Sequence, residues 1–251
     1  MRRHELVQLL NDVLQVTRIR DYCPNGLQVE GREFVKHVVC GVTASQALLD
    51  HAVAVGADTV IVHHGYFWKN EAPEITGMKK RRLQTLLTHD INLLAYHLPL
   101  DVHAELGNNA QLAKLLGFSN VRPLPSVEPV GVVQLATLEQ PLSLAQLAQS
   151  IEQALQRTPL VHDAGIGDIQ TIAWCTGGGQ GYIDAAFAAG AQLFISGEVS
   201  EQTIHSANEQ GIHFIAAGHH ATERYGIQAL ASYLSLNTKL KVEFVDLYNP
   251  A

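Results

Sequence analysis

The chain has only three cysteines in 251 residues. Cys23, Cys40 and Cys175 are widely spaced and odd in number, which excludes a disulfide framework or a CxxC zinc knuckle and points to a reducing cytosol. Charge is also scarce. Asp, Glu, Lys and Arg make up 16% of the residues, fewer than a typical soluble domain carries, which suggests surface covered by other subunits. There is no basic excess to grip a duplex: the formal net charge is −7, and nucleic acid is held through clustered Lys and Arg. The longest basic run, Lys79-Lys80-Arg81-Arg82, opens an expected helix over 81–88 and reads as a solvated face. No apolar run approaches a membrane span, and Glu5, Asn11 and Asp12 break the leucine-lined helix of residues 1–16 where a signal-peptide core would be continuous. A soluble, cytoplasmic protein is expected, with neither membrane nor nucleic acid as partner.

What the chain does have is apolar content, 47% of its residues, and an internal repeat. Residues 38–64 and 172–198 align without a gap, placing Gln46 on Gln180, Asp50 on Asp184, Gly56 on Gly190, Ala57 on Ala191 and Ile61 on Ile195. Each copy reads strand, turn, helix, Gly-Ala, strand: 37–42, 45–55 and 58–62 in the first, 170–175, 180–189 and 192–196 in the second. A glycine after each helix supplies the positive φ that ends it. Strands at 91–96 and 212–217 continue the likeness, with helices following at 107–116 and about 220–235. Strands alternating with helices imply parallel pairing and right-handed crossovers. The expected fold is therefore α/β, two related domains divided at Arg122–Pro129, which carries three prolines. These are 1–124 with His63, His64 and Asp101, and 125–251 with His219 and Glu223, the boundary approximate and the C-terminal elements free to pack with the first half.

The candidate ligands stand at strand carboxyl ends, where open α/β sheets bind. Val60-Ile61-Val62 leads into His63-His64-Gly65, and the glycine implies that the strand has ended, so both rings can turn to one space. After the next strand comes His97-Leu98-Pro99-Leu100-Asp101. In the second copy Gly218-His219-His220-Ala221-Thr222-Glu223 opens a helix, with His219 and Glu223 on one face and His220 turned away. Glu198 is the counterpart of His64. Three imidazoles and two carboxylates without a thiolate suit Zn, Fe, Mn or Ni. Five such donors exceed one open catalytic site and suit two metals about 3.5–4 Å apart, bridged by Glu223 or Asp101. His97 and His103 are the groups left to orient ligands or move protons. Gly177-Gly178-Gly179, between a strand and a helix, reads either as a phosphate cradle or as a sharp turn beside the site. The segment Asp21–Gly31 is turn-rich, centred on Pro24-Asn25-Gly26.

These motifs, with Pro24–Gly31, Cys175–Gly179 and Ser196-Gly197-Glu198, resemble those of the NIF-three-like family, often labelled GTP cyclohydrolase type 2 homologue. The likeness runs from about residue 21 to the C-terminus and is strongest to short bacterial members without an inserted domain. It implies that His63, His64, Asp101, His219 and Glu223 bind two divalent metals, that two related α/β domains form the fold, and that a toroidal homohexamer encloses the sites. It also implies a metal-dependent hydrolase in which metal-bound hydroxide attacks an electrophilic carbon, C8 where GTP is the substrate. Glu198 or His97 would then move protons, with Gly177–Gly179 near the phosphates of GTP or another nucleotide. The competing expectation is a hexameric metal-binding or adaptor protein without turnover.

Overall fold

A computed structural model describes all 251 residues. Its first elements in chain order are α1 (Arg3–Val13), β1 (Gly26–Val29), β2 (His37–Thr43), α2 (Gln46–Ala54), β3 (Thr59–His64), α3 (Gly77–Thr88), β4 (Asn92–Ala95) and α4 (Leu98–Val102). Then come α5 (Asn108–Leu116), β5 (Arg122–Pro123), β6 (Gln134–Leu142), α6 (Leu144–Leu155), β7 (Leu160–His162) and β8 (Ile169–Cys175). The last are α7 (Ile183–Ala188), β9 (Leu193–Ser196), α8 (Glu201–Gln210), β10 (His213–Ala216), α9 (His219–Asn237) and β11 (Lys241–Phe244). No helix is long and apolar enough to cross a membrane.

The chain forms two compact units, Met1–Leu100 with Ile227–Tyr248, and Asp101–Gly226 with Asn249–Ala251. In the first, one sheet runs β1-β4-β3-β2-β11, with β2, β3, β4 and β11 parallel and β1 antiparallel to β4. In the second, the order is β5-β6-β8-β9-β10-β7, with β8, β9 and β10 parallel and β7 antiparallel to β10. The repeat therefore reaches one strand further back than the sequence shows: the offset that carries His64 onto Glu198 also carries Gly26 in β1 onto Leu160 in β7. Gly56 and Gly190, at φ +68° and +83°, end α2 and α7 as the repeat predicts.

Local chemistry explains these elements. Ser45 caps α2, its Oγ accepting from Leu48 N–H at 3.3 Å, and Ser143 with Gln146 forms a capping box on α6. The central strands β2, β3, β4, β9 and β10 are runs buried on both faces, as parallel sheets under helices require. Val39, Val60, Val62 and Leu93 share a core with Leu48 and Leu49 of α2 and Leu86 of α3. In the second unit Ile172, Trp174, Leu193, Ile195 and Ile215 pack with Leu147, Ile151 and Leu155 of α6.

Four expectations change. The division falls at residue 100 and not near 124, so Asp101 belongs to the second unit. The proline-rich stretch is no linker: β5 pairs with β6, and Leu124 is buried with its N–H on Val133 O. Proline there closes an edge, where its missing N–H costs no ladder bond. Strand β3 does not stop before the histidines, because Thr43 of β2 stays in register with His64. Finally, only Lys80 and Arg81 of the basic run are exposed. Lys79 turns inward to Glu71, and the guanidinium of Arg82 lies over the Tyr66 ring.

Candidate metal centre

Three imidazoles converge in the first unit. His63 and His64 end β3, and His97 follows β4. Ring centroids lie 4.5 Å apart for His63–His64, 5.1 Å for His63–His97 and 5.9 Å for His64–His97. Alternation along the strand separates the Cβ atoms of His63 and His64 but not their rings. Each of the three offers a ring nitrogen within 4.8 Å of the others. Their rear nitrogens are engaged. His63 Nδ1 lies 2.9 Å from the Tyr96 carbonyl, which only accepts, so Nδ1 carries the proton and Nε2 keeps its lone pair. His97 Nδ1 lies 3.0 and 3.2 Å from the two oxygens of Asp21, and His64 Nδ1 lies 3.3 Å from Thr43 Oγ1.

Asp21 is the residue that sequence reasoning missed here. Besides His97 it accepts from Leu98 N–H and Asn25 Nδ2, both at 2.9 Å. Burial would raise its pKa, but the hydrogen bond and charge of His97, helped by Asn25 and Leu98, outweigh burial and hold it at about 2. The turn-rich segment thus delivers one ionised carboxylate behind His97. Cys23 joins Asp21 and His97 as a second group of close donors.

The second unit supplies carboxylates and one imidazole. Glu223 and His219 stand one helical turn apart on α9, with His219 Nε2 3.0 Å from Glu223 Oε2. Asp101 and Glu223 also bring donor oxygens within 4.8 Å of each other. Glu223 therefore neighbours both of the other ligand candidates. Behind His219, Glu198 Oε1 takes its Nδ1 at 2.7 Å. Burial disfavours a charged His219, but Glu223 and Glu198 outweigh it and push its pKa up to about 9. Asp101 Oδ1 accepts from Asn108 Nδ2 at 2.8 Å, and Asn108 Oδ1 takes the Gly226 N–H of α9 at 2.8 Å. Asn109 holds the adjoining backbone, accepting from Thr176 N–H at 3.1 Å. Neither asparagine stands out in the sequence. Cys175 is no thiolate: burial first, then the charges of Asp101 and Glu223, push its thiol well above its usual range.

Glu198, expected from the sequence to move protons, lies behind His219 with Oε1 on its Nδ1. Gly177–Gly179 makes a poor phosphate cradle: Gly177 N–H goes to Thr222 Oγ1 at 3.0 Å, and α7 beyond it has only six residues. The loop instead lies against Glu223 and His219. A methyl on Gly177 would overlap Glu223 Oε1 and stand 3.2 Å from His219 Nε2, and one on Gly178 would stand 3.6 Å from Glu198. His103 Nδ1 accepts from Glu105 and Leu106 N–H and caps its own turn.

The residues fit a divalent cation. Metal-bound histidines characteristically direct the second nitrogen to a carboxylate, carbonyl or other fixed partner, as His63, His64, His97 and His219 do. Nitrogen and carboxylate donors without thiolate match the borderline metals.

Comparison with known proteins gives the family. The family model described as Duf34/NIF3 (NGG1p interacting factor 3) matches residues 1–250. A Pseudomonas aeruginosa protein named GTP cyclohydrolase 1 type 2 homolog is 59% identical over 246 residues, 98% of this chain and 97% of its own. A solved structure described as protein ybgI, unknown function, superposes with a TM-score of 0.96 at 58% identity, covering both chains fully. TTHA1606 from Thermus thermophilus superposes with a TM-score of 0.88 at 38% identity, covering 100% of this chain and 99% of its own. With a family model spanning nearly its whole length and relatives this similar, the chain belongs to the Duf34/NIF3 family.

Proposed function

We propose that this protein binds two divalent metal ions, of Fe, Zn, Mn or Ni, through His63, His64, Asp101, His219 and Glu223, and uses them in hydrolysis, with GTP as the candidate substrate. The observation that carries the reading is the engagement of the rear nitrogen on His63, His64 and His219, which makes Nε2 of each the nitrogen to meet a cation. The name borne by the relatives supplies the substrate candidate. Glu223, beside both Asp101 and His219, would hold a metal together with either of them.

Two bound divalent cations supply a water acidified toward neutral pH. The chain's own residues do the rest. His97, its Nδ1 proton fixed by Asp21, presents Nε2 as the group that takes a proton from water and returns one to the ring nitrogen released when guanine opens at C8. Asp21 stabilises the imidazolium formed in between, as a buried carboxylate does behind a catalytic histidine. Glu198 orients His219.

GTP turnover by metal-loaded and metal-stripped protein, with Asp101→Ala alongside, tests the proposal. Ring opening that requires metal and is lost in the variant is expected. Two bound metals without turnover would exclude GTP and favour a metal-binding adaptor. We also propose a homohexamer, consistent with the scarcity of surface charge; a monomeric mass in solution would overturn it.

A further inference from the structure

Tyr22 and Trp68 stand beside the imidazole cluster, and the proposed metal centre uses neither. The Trp68 ring lies 5.0 Å from His97 at 85° and 6.0 Å from His64 at 54°. Tyr22 lies 5.0 Å from His97 at 73° and 5.8 Å from Trp68 at 37°. The rings touch each other and do not gape, so together they form a wall continuous with His64 and His97. Its outer side is open: Tyr22 is 53% exposed. Trp68 is half-buried, and an exposed aromatic ring such as Tyr22 beside it needs a reason, since it could gain by burial.

The wall is also built. Phe67, just before Trp68, adopts φ +65°, a left-handed conformation that a bulky residue takes only when its surroundings enforce it. Glu71 enforces it, its Oε2 accepting from Phe67 N–H at 2.7 Å and Trp68 N–H at 3.2 Å. Lys79 neutralises Glu71 at 3.4 Å and lies 5.4 Å over the Phe67 ring. Lys69 N–H reaches Tyr22 O at 2.9 Å and ties the two aromatic segments together. Strained backbone held by a buttressing ion pair clusters at ligand clamps.

We propose that Tyr22 and Trp68 form a stacking subsite for a planar unsaturated ring of the substrate, holding it against His64 and His97. The subsite rests on the metal-centre reading for what becomes of the ring, and on the aromatic geometry alone for binding it. Stacking on such a wall tolerates any heteroaromatic ring, because every base has a π-face. Specificity among bases must come from elsewhere.

The test titrates metal-loaded protein with guanosine and, separately, ribose 5-phosphate. The chain has two tryptophans and Trp174 is wholly buried, so fluorescence quenching reports on Trp68. Guanosine quenching is expected, with affinity by equilibrium dialysis about tenfold or more weaker in Tyr22→Ala and Trp68→Ala. Trp68→Phe restores most of it. Metal content and the response to ribose 5-phosphate stay constant throughout. Guanosine affinity unchanged in both alanine variants, or no guanosine binding by wild-type protein carrying its metals, overturns the subsite. Guanosine binding that depends on Trp68 in a protein unable to hold two metals supports the subsite and overturns the metal centre.

Discussion

Gly177→Ala puts the metal-centre reading under direct strain. Gly177 sits at φ +64°, and an added methyl would overlap Glu223 Oε1, lie 2.8 Å from Glu223 Cδ and 3.2 Å from His219 Nε2. Two costs arise. The left-handed backbone costs an L-residue about 1–2 kcal/mol. The overlap must then be relieved, and the loop cannot readily recoil. Its Gly177 N–H is on Thr222 Oγ1, and its carbonyl accepts from Gly197 N–H at 2.9 Å and Ser196 Oγ at 3.2 Å. Glu223 is the group that yields. Loss of an outer-sphere partner alone weakens metal binding by about 10–100-fold, so displacing a ligand should do at least that. Gly178→Ala is the control, because its methyl would meet nothing nearer than Glu198 at 3.6 Å, an ordinary contact. Metal-stripped protein would be titrated with Zn2+ or Mn2+ by calorimetry, with metal content by atomic emission and thermal melts to confirm folding. The expected result is lost or weakened metal in Gly177→Ala and wild-type binding in Gly178→Ala. A folded Gly177→Ala protein that binds two metals at wild-type affinity would refute the placement of Glu223 as a ligand.

Asp101→Ala should drop metal content below two per chain while the protein stays folded. It removes the carboxylate that accepts from the buried Asn108 Nδ2, and a lost hydrogen bond of about 0.5–1.5 kcal/mol is readable in a urea melt; unchanged metal stoichiometry would remove Asp101 from the ligand set. His220→Ala should keep both metals, since the backbone bond from its N–H to Ala251 O survives the change; metal loss would show that His220 faces the site. Glu198→Gln should retain stoichiometry at saturating metal but lose about tenfold in affinity through His219, and an unaltered affinity would deny Glu198 that role. Asp21 supplies a pH signature. Its side chain is 3% exposed, and its pKa falls from 3.8 unfolded to about 2 folded. The stabilisation is therefore fully present above about pH 4 and is lost as pH falls toward 2. It amounts to about 2 kcal/mol. Asp21→Asn should lower the neutral-pH urea midpoint and flatten its decline between pH 4 and 2; a variant as acid-sensitive as wild type would contradict this.

The sequence marks the candidate donors because position within a strand–helix unit is local. His63, His64, Asp101, His219 and Glu223 all stand at or just beyond strand ends, and a repeat that matches helix-ending glycines shows which ends correspond. What the sequence hides is whatever depends on distant partners. Asp21 meets His97 across 76 residues, Asn109 meets Thr176 across 67 and Asn108 meets Gly226 across 118. An aspartate in a turn or an asparagine pair at a helix start has ordinary local uses, so nothing nearby marks these as supports. The misplaced boundary has the same origin. Pro123, Pro125 and Pro129 look like punctuation until β6 is seen pairing beside them, and β11 has no counterpart in the repeat to signal its return to β2. Type and placement of donors are thus written locally, while their tautomer, orientation and spacing are set by long-range hydrogen bonds. Replacing a donor probes the part already visible in the sequence. Replacing Asp21, Asn108 or Gly177, which donate nothing to a metal in this reading, probes whether the fold holds those donors where a metal needs them.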